Sequence, residues 1–219
     1  MAVAAAPSIC LPLASLSLTP GSCLTLEGIS WQEFEQIQAA YDYRPGIRVA
    51  YCDGTLELVS PLPAHERPNR VITDIVKVLL DAQDRDWEDF GTSTLKREKK
   101  LAGVEPDTGF YIQNAERMRA CMRFDLETDP PPDLAIECDL TSKTTLEAYE
   151  RLQVPELWIF ENGMLKINLL ENGKYKPSTT SLVFPDVDIC ALIPELLQEA
   201  FEMGSSRMLR NLRQRLAAR

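Results

Sequence analysis

Three dipeptides constrain the fold of this 219-residue chain more than any other feature. Asp53-Gly54, Asn162-Gly163 and Asn172-Gly173 each separate two strand-like runs. Two-residue loops of this composition close antiparallel hairpins, because both positions take positive φ and match the twist of the flanking strands. The stretch "IRVAYCDGTLELVSP" is therefore a hairpin, and "PELWIFENGMLKINLLENGKYKP" is a strand–turn–strand–turn–strand meander. A repeating βαβ architecture does not fit these turns.

Helical periods surround the hairpins. "SWQEFEQIQAAYD" opens on Ser30 with Glu33 three places on, a capping box that predicts a helix over 31–41. "AHERPNRVITDIVKVLLDAQD" repeats Val71, Ile75, Val78 and Leu79 at helical spacing, which predicts a long helix lying on a sheet. Further strands are expected around "DFGTSTLKRE", "EPDTGFYI" and "PDLAIECDL". A Pro-rich loop precedes the last of these, "TTLEAYERLQ" is a short helix, and "ALIPELLQEAFEM" and "SSRMLRNLRQRLAAR" close the chain as helices. The order predicts a mixed sheet with helices packed on it. Residues 1–28 read as a loose N-terminal arm, 29–203 as the domain and 204–219 as a basic C-terminal helix.

Charge and cysteine usage narrow the functional classes. The net charge is −10, yet the last fifteen residues carry Arg207, Arg210, Arg213, Arg215 and Arg219 and no acid. Residues 1–204 alone therefore sum to −15, a surface that on average repels nucleic acid. The six cysteines form no CxxC pair, and Cys52 and Cys138 sit inside strand-like runs, so core thiols in a reducing, cytoplasmic setting are expected. A single histidine, His65, excludes multi-histidine metal sites. The mildly apolar N-terminus lacks a basic n-region and is broken by Pro7, Pro12 and Pro20. No apolar run reaches the roughly 18–20 residues that span a bilayer, so no membrane partner is expected.

The chemistry concentrates in "PPPDLAIECDLTSK", residues 130–143. Leu134, Ile136 and Cys138 alternate with Asp133, Ala135, Glu137 and Asp139, which places Glu137 and Asp139 on one face of a strand that reads as buried. Buried acids cost free energy unless they are paired, hydrogen-bonded or bound to a cation. Asp107 stands at the start of the strand candidate "DTGFYI". If the two strands are neighbours, three carboxylates converge, the oxygen donor set that a hard cation such as Mg²⁺ prefers. The plainer reading is that Glu137 and Asp139 pair with a lysine or arginine at a strand end.

"EPD…PPDLAIECDLTS…AYERLQVPELWIF…LKINLLENGKY" resembles the bacterial Uma-two family of the PD-(D/E)XK restriction-endonuclease-like superfamily, over roughly residues 28–200. The marks are the Trp-bearing first helix, the Asp-Gly hairpin, Ser-Pro followed by His65, Pro106-Asp107, Glu137 in an apolar strand with Thr-Ser after it, and "VPELW". The resemblance implies an α/β fold in which a restriction-endonuclease-like mixed β-sheet is flanked by helices. It implies a homodimer, and a nuclease in which Asp107 and Glu137 bind Mg²⁺ or Mn²⁺ for phosphodiester hydrolysis. Where the superfamily places lysine two residues after the glutamate, this chain has Asp139, which cannot donate when ionised and could serve as a third ligand. Lys96 or Lys143 is the expected substitute cation, with Lys96 preferred because a strand aims a side chain better than a loop.

The resemblance sets His65 over the acids as ligand or general base; the plain reading is a helix-capping residue, and Glu66 beside it could instead supply a helix acid. "LKREKK", residues 95–100, grips phosphates or marks a solvated strand edge. The arginine-rich tail touches nucleic acid or the acidic body, or forms a solvated amphipathic helix at a dimer edge. A metal-dependent endonuclease is the leading reading. Its rival is a degenerate nuclease fold acting as an interaction or dimerisation module. Two acids sharing an open cleft beside a lysine or histidine favour the enzyme; a closed cleft, or an arginine neutralising both acids, favours the module.

Overall fold

The computed structural model describes residues 12–41, 46–123, 125–138 and 142–218, with backbone alone at Ala14 and residues 63–65. The hairpin turns form where the dipeptides put them. Asp53 and Gly54 take φ of 50° and 88°, and Asn162–Gly163 and Asn172–Gly173 likewise have positive φ at both positions. They join β2 (Arg48–Cys52) to β3 (Thr55–Val59), and β9 (Glu156–Glu161) to β10 (Met164–Glu171) to β11 (Lys174–Ser178).

The strands form two sheets rather than one. The first runs β1-β3-β2-β6-β5, where β1 is Cys23–Glu27, β5 Leu95–Arg97 and β6 Ala102–Val104, and is antiparallel throughout. The second runs β11-β10-β9-β8-β7-β4, where β4 is Glu88–Asp89, β7 Thr108–Tyr111 and β8 Leu134–Cys138. It is mixed, because β8 and β9 pair in parallel while the other pairs are antiparallel. Two sequence expectations change here. Cys23–Glu27, inside the segment expected as a loose arm, zips onto β3 in register from Cys23↔Val59 to Glu27↔Thr55. The three-residue β6 was not among the expected strands, being too short to show a period.

Among the described residues six α-helices complete the fold: α1 (Trp31–Tyr41), α2 (Pro63–Ala82), α3 (Ala115–Met118), α4 (Lys143–Leu152), α5 (Ile189–Met203) and α6 (Ser205–Ala217). The capping box starts α1, with Ser30 N–H donating to Glu33 Oε2 at 2.8 Å and Glu33 N–H to Ser30 Oγ at 3.3 Å. α1 covers one face of the first sheet through Trp31 and Phe34 against Tyr51, Leu56 and Leu58. That packing is so close that a Cβ on Gly103 would lie 2.5 Å from the Phe34 ring, so only glycine fits there. α4 is the crossover that parallel β8 and β9 require. Its Ala148, Tyr149 and Leu152 share a core with Ala50, Cys52 and Val104 of the first sheet and Ala135 and Leu157 of the second. The far face of the second sheet, with Leu134, Ile136 and Trp158, is buried under α2, α5 and α6. The basic helix α6 belongs to this layer, held by buried Met208 and Leu212. Cys52 and Cys138 are buried, as core thiols should be.

Candidate functional site

All five residues of β8 are buried, and their two faces differ in kind. Leu134, Ile136 and Cys138 join the apolar core under α2, while Ala135 and Glu137 turn toward α4 and the first sheet. β7 lies antiparallel to β8 with Thr108 opposite Ile136, so the next step of the register sets Asp107 opposite Glu137. Asp107 Oδ2 accepts the Cys138 N–H at 2.6 Å, which locks the aspartate across the strand pair. The two acids line one cavity of about 370 Å³ with Arg48, Glu66, Asn69 and Glu105. Val59, Pro61, Leu62 and Val104 give it an apolar wall.

Each acid is held differently. Asp107 Oδ1 forms an ion pair with the Arg48 guanidinium, which reaches across from β2. A second Arg48 nitrogen lies 3.7 Å from Glu66 at the start of α2. Asn69, one turn along that helix, donates to the Asp107 carbonyl at 3.2 Å and accepts from Thr108 Oγ1 at 3.1 Å. Glu137 Oε1 accepts from the Tyr149 hydroxyl of α4 at 2.5 Å. Burial pushes the Glu137 carboxyl up to about 7, against the opposing pull of the Tyr149 hydrogen bond and the Arg48 charge. Burial also raises the Tyr149 hydroxyl well above the ordinary tyrosine value, reinforced by the neighbouring Glu137 charge.

The residues singled out in the sequence divide between this cavity and other surfaces. Asp107 and Glu137 come together. Asp139 lies outside the described residues, as does the His65 side chain, although Glu66 beside His65 lines the cavity. Lys96 sits on the α1 side of the first sheet, donating to Glu35 at 3.1 Å and Gln38 at 2.9 Å. Its neighbour Leu95 takes the core side, so strand alternation itself turns Lys96 away from the acids. Lys143 opens α4 with its side chain 86% exposed and pairs with Glu147 one turn on, at 3.5 Å. Among the described residues, the cation that lines the cavity is Arg48. Its signal was in the hairpin: it shares a strand face with Ala50 and Cys52, an inward face where an arginine needs a partner. Nothing in "LEAYERL" marked Tyr149. Among the described residues, no three histidine, cysteine or acidic groups cluster as a metal site.

Two sheets, one of them mixed, flanked by helices and enclosing a cavity with two carboxylates on adjacent strands, make this an α/β protein. The chain belongs to the Uma2 family, described as "Putative restriction endonuclease", whose model matches residues 31–201. Among solved structures it is similar to one described as a "putative nuclease belonging to DUF820 from Anabaena variabilis ATCC 29413". The two are 14% identical over 67% of this chain and 88% of that one, with a TM-score of 0.44. No curated protein matches the sequence. Among the described residues no helix is long and apolar enough to cross a membrane.

Proposed function

We propose that the protein is a divalent-metal-dependent endonuclease that hydrolyses phosphodiester bonds of nucleic acid in this cavity. The single observation that carries the reading is Glu137: a carboxylate buried beside a cavity, opposite a second carboxylate, at a position where the fold alone would favour an apolar residue. The donor set fits a hard dication. Each carboxylate offers about four lone-pair directions, so Cys138 N–H and Arg48 do not exhaust Asp107, nor Tyr149 Glu137. Asp107 and Glu137 would hold Mg²⁺ or Mn²⁺, with Asp139 as the proposed third ligand. When bound, the ion supplies Lewis-acid charge at the phosphate.

The remaining chemistry belongs to the side chains. Tyr149 fixes the Glu137 carboxylate from below, and Asn69 fixes the backbone of Asp107. With Asp139 at the superfamily's lysine position, Arg48 supplies the cation instead, presenting a fork of N–H donors to a phosphate oxygen so that negative charge developing on phosphorus meets a fixed cation. The attacking oxygen, from water, displaces the sugar oxygen and leaves a phosphate monoester and a hydroxyl end.

A second reading, the non-catalytic interaction module, is favoured by the Arg48–Asp107 ion pair, which neutralises one of the two acids. The two separate in one cleavage assay on single-stranded DNA, duplex DNA and RNA with Mg²⁺, Mn²⁺ or EDTA. The nuclease reading expects metal-dependent cleavage that falls at least about a thousandfold in Asp107→Ala and Glu137→Ala, and about a hundredfold in Arg48→Ala. Folded wild-type protein that cleaves nothing, or acid variants that cleave as well as wild type, would overturn it in favour of the module.

A further inference from the structure

α6 lies beyond the family match, which ends at residue 201 while the helix begins at Ser205. It is an addition with its own charge logic. Met208 and Leu212 are buried against the core, and Arg215 turns back onto α5, pairing with Glu195 at 3.4 Å and with Glu199. Arg207, Arg210 and Arg213 occupy the opposite side and are exposed. Spaced three apart, they form a stripe about 9 Å long at 1.5 Å of rise per residue. Among the described residues no acidic side chain pairs with any of the three, although the chain has 33 acids to 23 basic residues. Many exposed lysines elsewhere are paired, including Lys99 with Glu127, Lys166 with Glu161 and Lys176 with Glu171, and no other helix carries three unpaired arginines in a row of i, i+3 positions among the described residues. Three arginines left outward on an acidic protein keep an uncompensated field for an external anion.

The stripe begins near the end of α2 whose Glu66 and Asn69 line the cavity. Asn211 and Arg215 contact Glu199 and Glu195, so α6 runs antiparallel to α5. Leu216 packs on the core that holds Leu79, near the end of α2, and the two line one cavity; Arg67 near the start of α2 touches Phe201 just before α6, so the first turn of α6 lies toward the start of α2. At that end Arg67 of α2 stacks over the ring of Phe201, 4.6 Å from its centre, and the phenyl group is 48% exposed. Arg70, 80% exposed, lies 3.8 Å from Glu66, which in turn faces Arg48 inside the cavity. An aromatic platform among arginines, followed by a linear arginine stripe, is the combination that holds a nucleic-acid strand by stacking and phosphate contact.

We infer that the outer face of α6, with Arg67, Arg70 and Phe201, is a track that holds the sugar–phosphate backbone of a nucleic-acid strand and leads it to the Asp107–Glu137 cavity. The inference rests on the nucleic-acid substrate proposed above, and its test is independent of turnover. Fluorescence anisotropy of a labelled single-stranded oligonucleotide and its duplex is read in EDTA, over a range of salt, for three proteins. These are the wild type, Arg207→Ala/Arg210→Ala/Arg213→Ala, and a charge-matched control, Lys166→Ala/Lys174→Ala/Lys176→Ala, on the β10–β11 meander. The arginine variant is expected to bind more than tenfold more weakly at low salt. Its slope of log affinity against log salt should flatten by about 2 for the single strand, from about 0.7 per phosphate contact. The lysine control should match wild type, and circular dichroism confirms folding of each. Arginine and lysine variants that weaken equally, an arginine variant that binds as wild type, or a wild type that binds neither oligonucleotide would each overturn the track. So would an arginine variant that changes only the sedimentation of the protein, since the face would then join two copies of the chain. A folded wild type that binds through these arginines yet cleaves nothing would sink the nuclease reading and leave the track standing.

Discussion

Glu137 and Glu156 stand on adjacent parallel strands, both buried, and the fold treats them in opposite ways. Glu156 opens β9 and is fully buried. It accepts from Trp158 Nε1 at 2.5 Å, from Leu182 N–H at 2.8 Å and from Val183 N–H at 3.1 Å. The carboxylate staples the 181–183 segment onto the sheet and satisfies donors that would otherwise be stranded. Asp133 does the same at the start of β8, accepting Ile112 N–H at 2.6 Å and Gln113 N–H at 2.9 Å. Glu137 accepts one hydrogen bond from Tyr149, faces a cavity, and has its carboxyl pushed up to about 7 by burial. Burial alone does not mark a working acid. An acid surrounded by backbone donors is part of the architecture; an acid buried with little to hold its charge is a place where the fold tolerates cost for chemistry.

The sharpest way to break this contrast is to truncate both residues. Glu156→Ala leaves the Trp158 indole N–H and the Leu182 N–H without their acceptor, at about 1–3 kcal/mol each, while Val183 N–H keeps Ser181 Oγ, so a loss of roughly 2–6 kcal/mol is expected in urea unfolding. Glu137→Ala is expected to cost less than about 1 kcal/mol near neutral pH, because it removes a charge that burial disfavours, while abolishing cleavage. Equal destabilisation by the two substitutions would erase the distinction between a structural and a functional acid here.

A second prediction follows from the sign of the Glu137 shift. The folded-state carboxyl titrates near 7 against 4.5 in its ordinary state, so between those values the folded protein binds the extra proton. Stability from this group is fully present below about pH 4.5 and is lost as pH rises through 7, by on the order of 3 kcal/mol at 1.36 kcal/mol per unit. In EDTA, Glu137→Gln should remove that slope: near wild type at pH 4.5, and more stable than wild type at pH 8. Parallel stability curves for the two proteins across this range would mean that Glu137 is solvated like a surface acid. Tyr149→Phe sharpens the same point at smaller scale. It deletes the donor to Glu137, so stability at pH 8 should fall by about 1–2 kcal/mol, with little change at pH 4.5 where the carboxyl is protonated.

Much of the architecture was legible because it is written in local chemistry. The Asp-Gly and Asn-Gly turns, the Ser30–Glu33 box and the Val71–Leu79 period each report on a few neighbouring residues, and each element formed as expected. The pairing of Asp107 with Glu137 was readable only on the condition that β7 and β8 are neighbours, which sequence spacing does not decide. What the sequence hid is long-range. Residues 23–27 read as arm because an edge strand takes its pattern from the partner it joins, and β3 lies some thirty residues on. The division into two sheets arises from α4 wedging between them, not from any turn signal. Tyr149 becomes a partner of Glu137 only through the β8–α4–β9 crossover, and Arg48 reaches Asp107 only because the sheets face each other.

The smallest effect tests the cation that sequence spacing favoured. Lys96 holds α1 to the first sheet through Glu35 and Gln38, on the opposite side of β5 from the core that leads to the acids. Its Nζ–Glu35 pair is partly exposed, and such pairs contribute at most about 1 kcal/mol. Lys96→Ala should therefore shift the urea midpoint slightly and leave both the cleavage rate and its metal dependence as in wild type. Arg48→Ala, two strands further in, should do the reverse, lowering the rate at nearly constant stability once a metal ion replaces the charge on Asp107. If Lys96→Ala instead lowered kcat a hundredfold in a folded protein, the charge that serves the phosphate would have to cross the first sheet. The assignment of one catalytic face to that sheet would then fail.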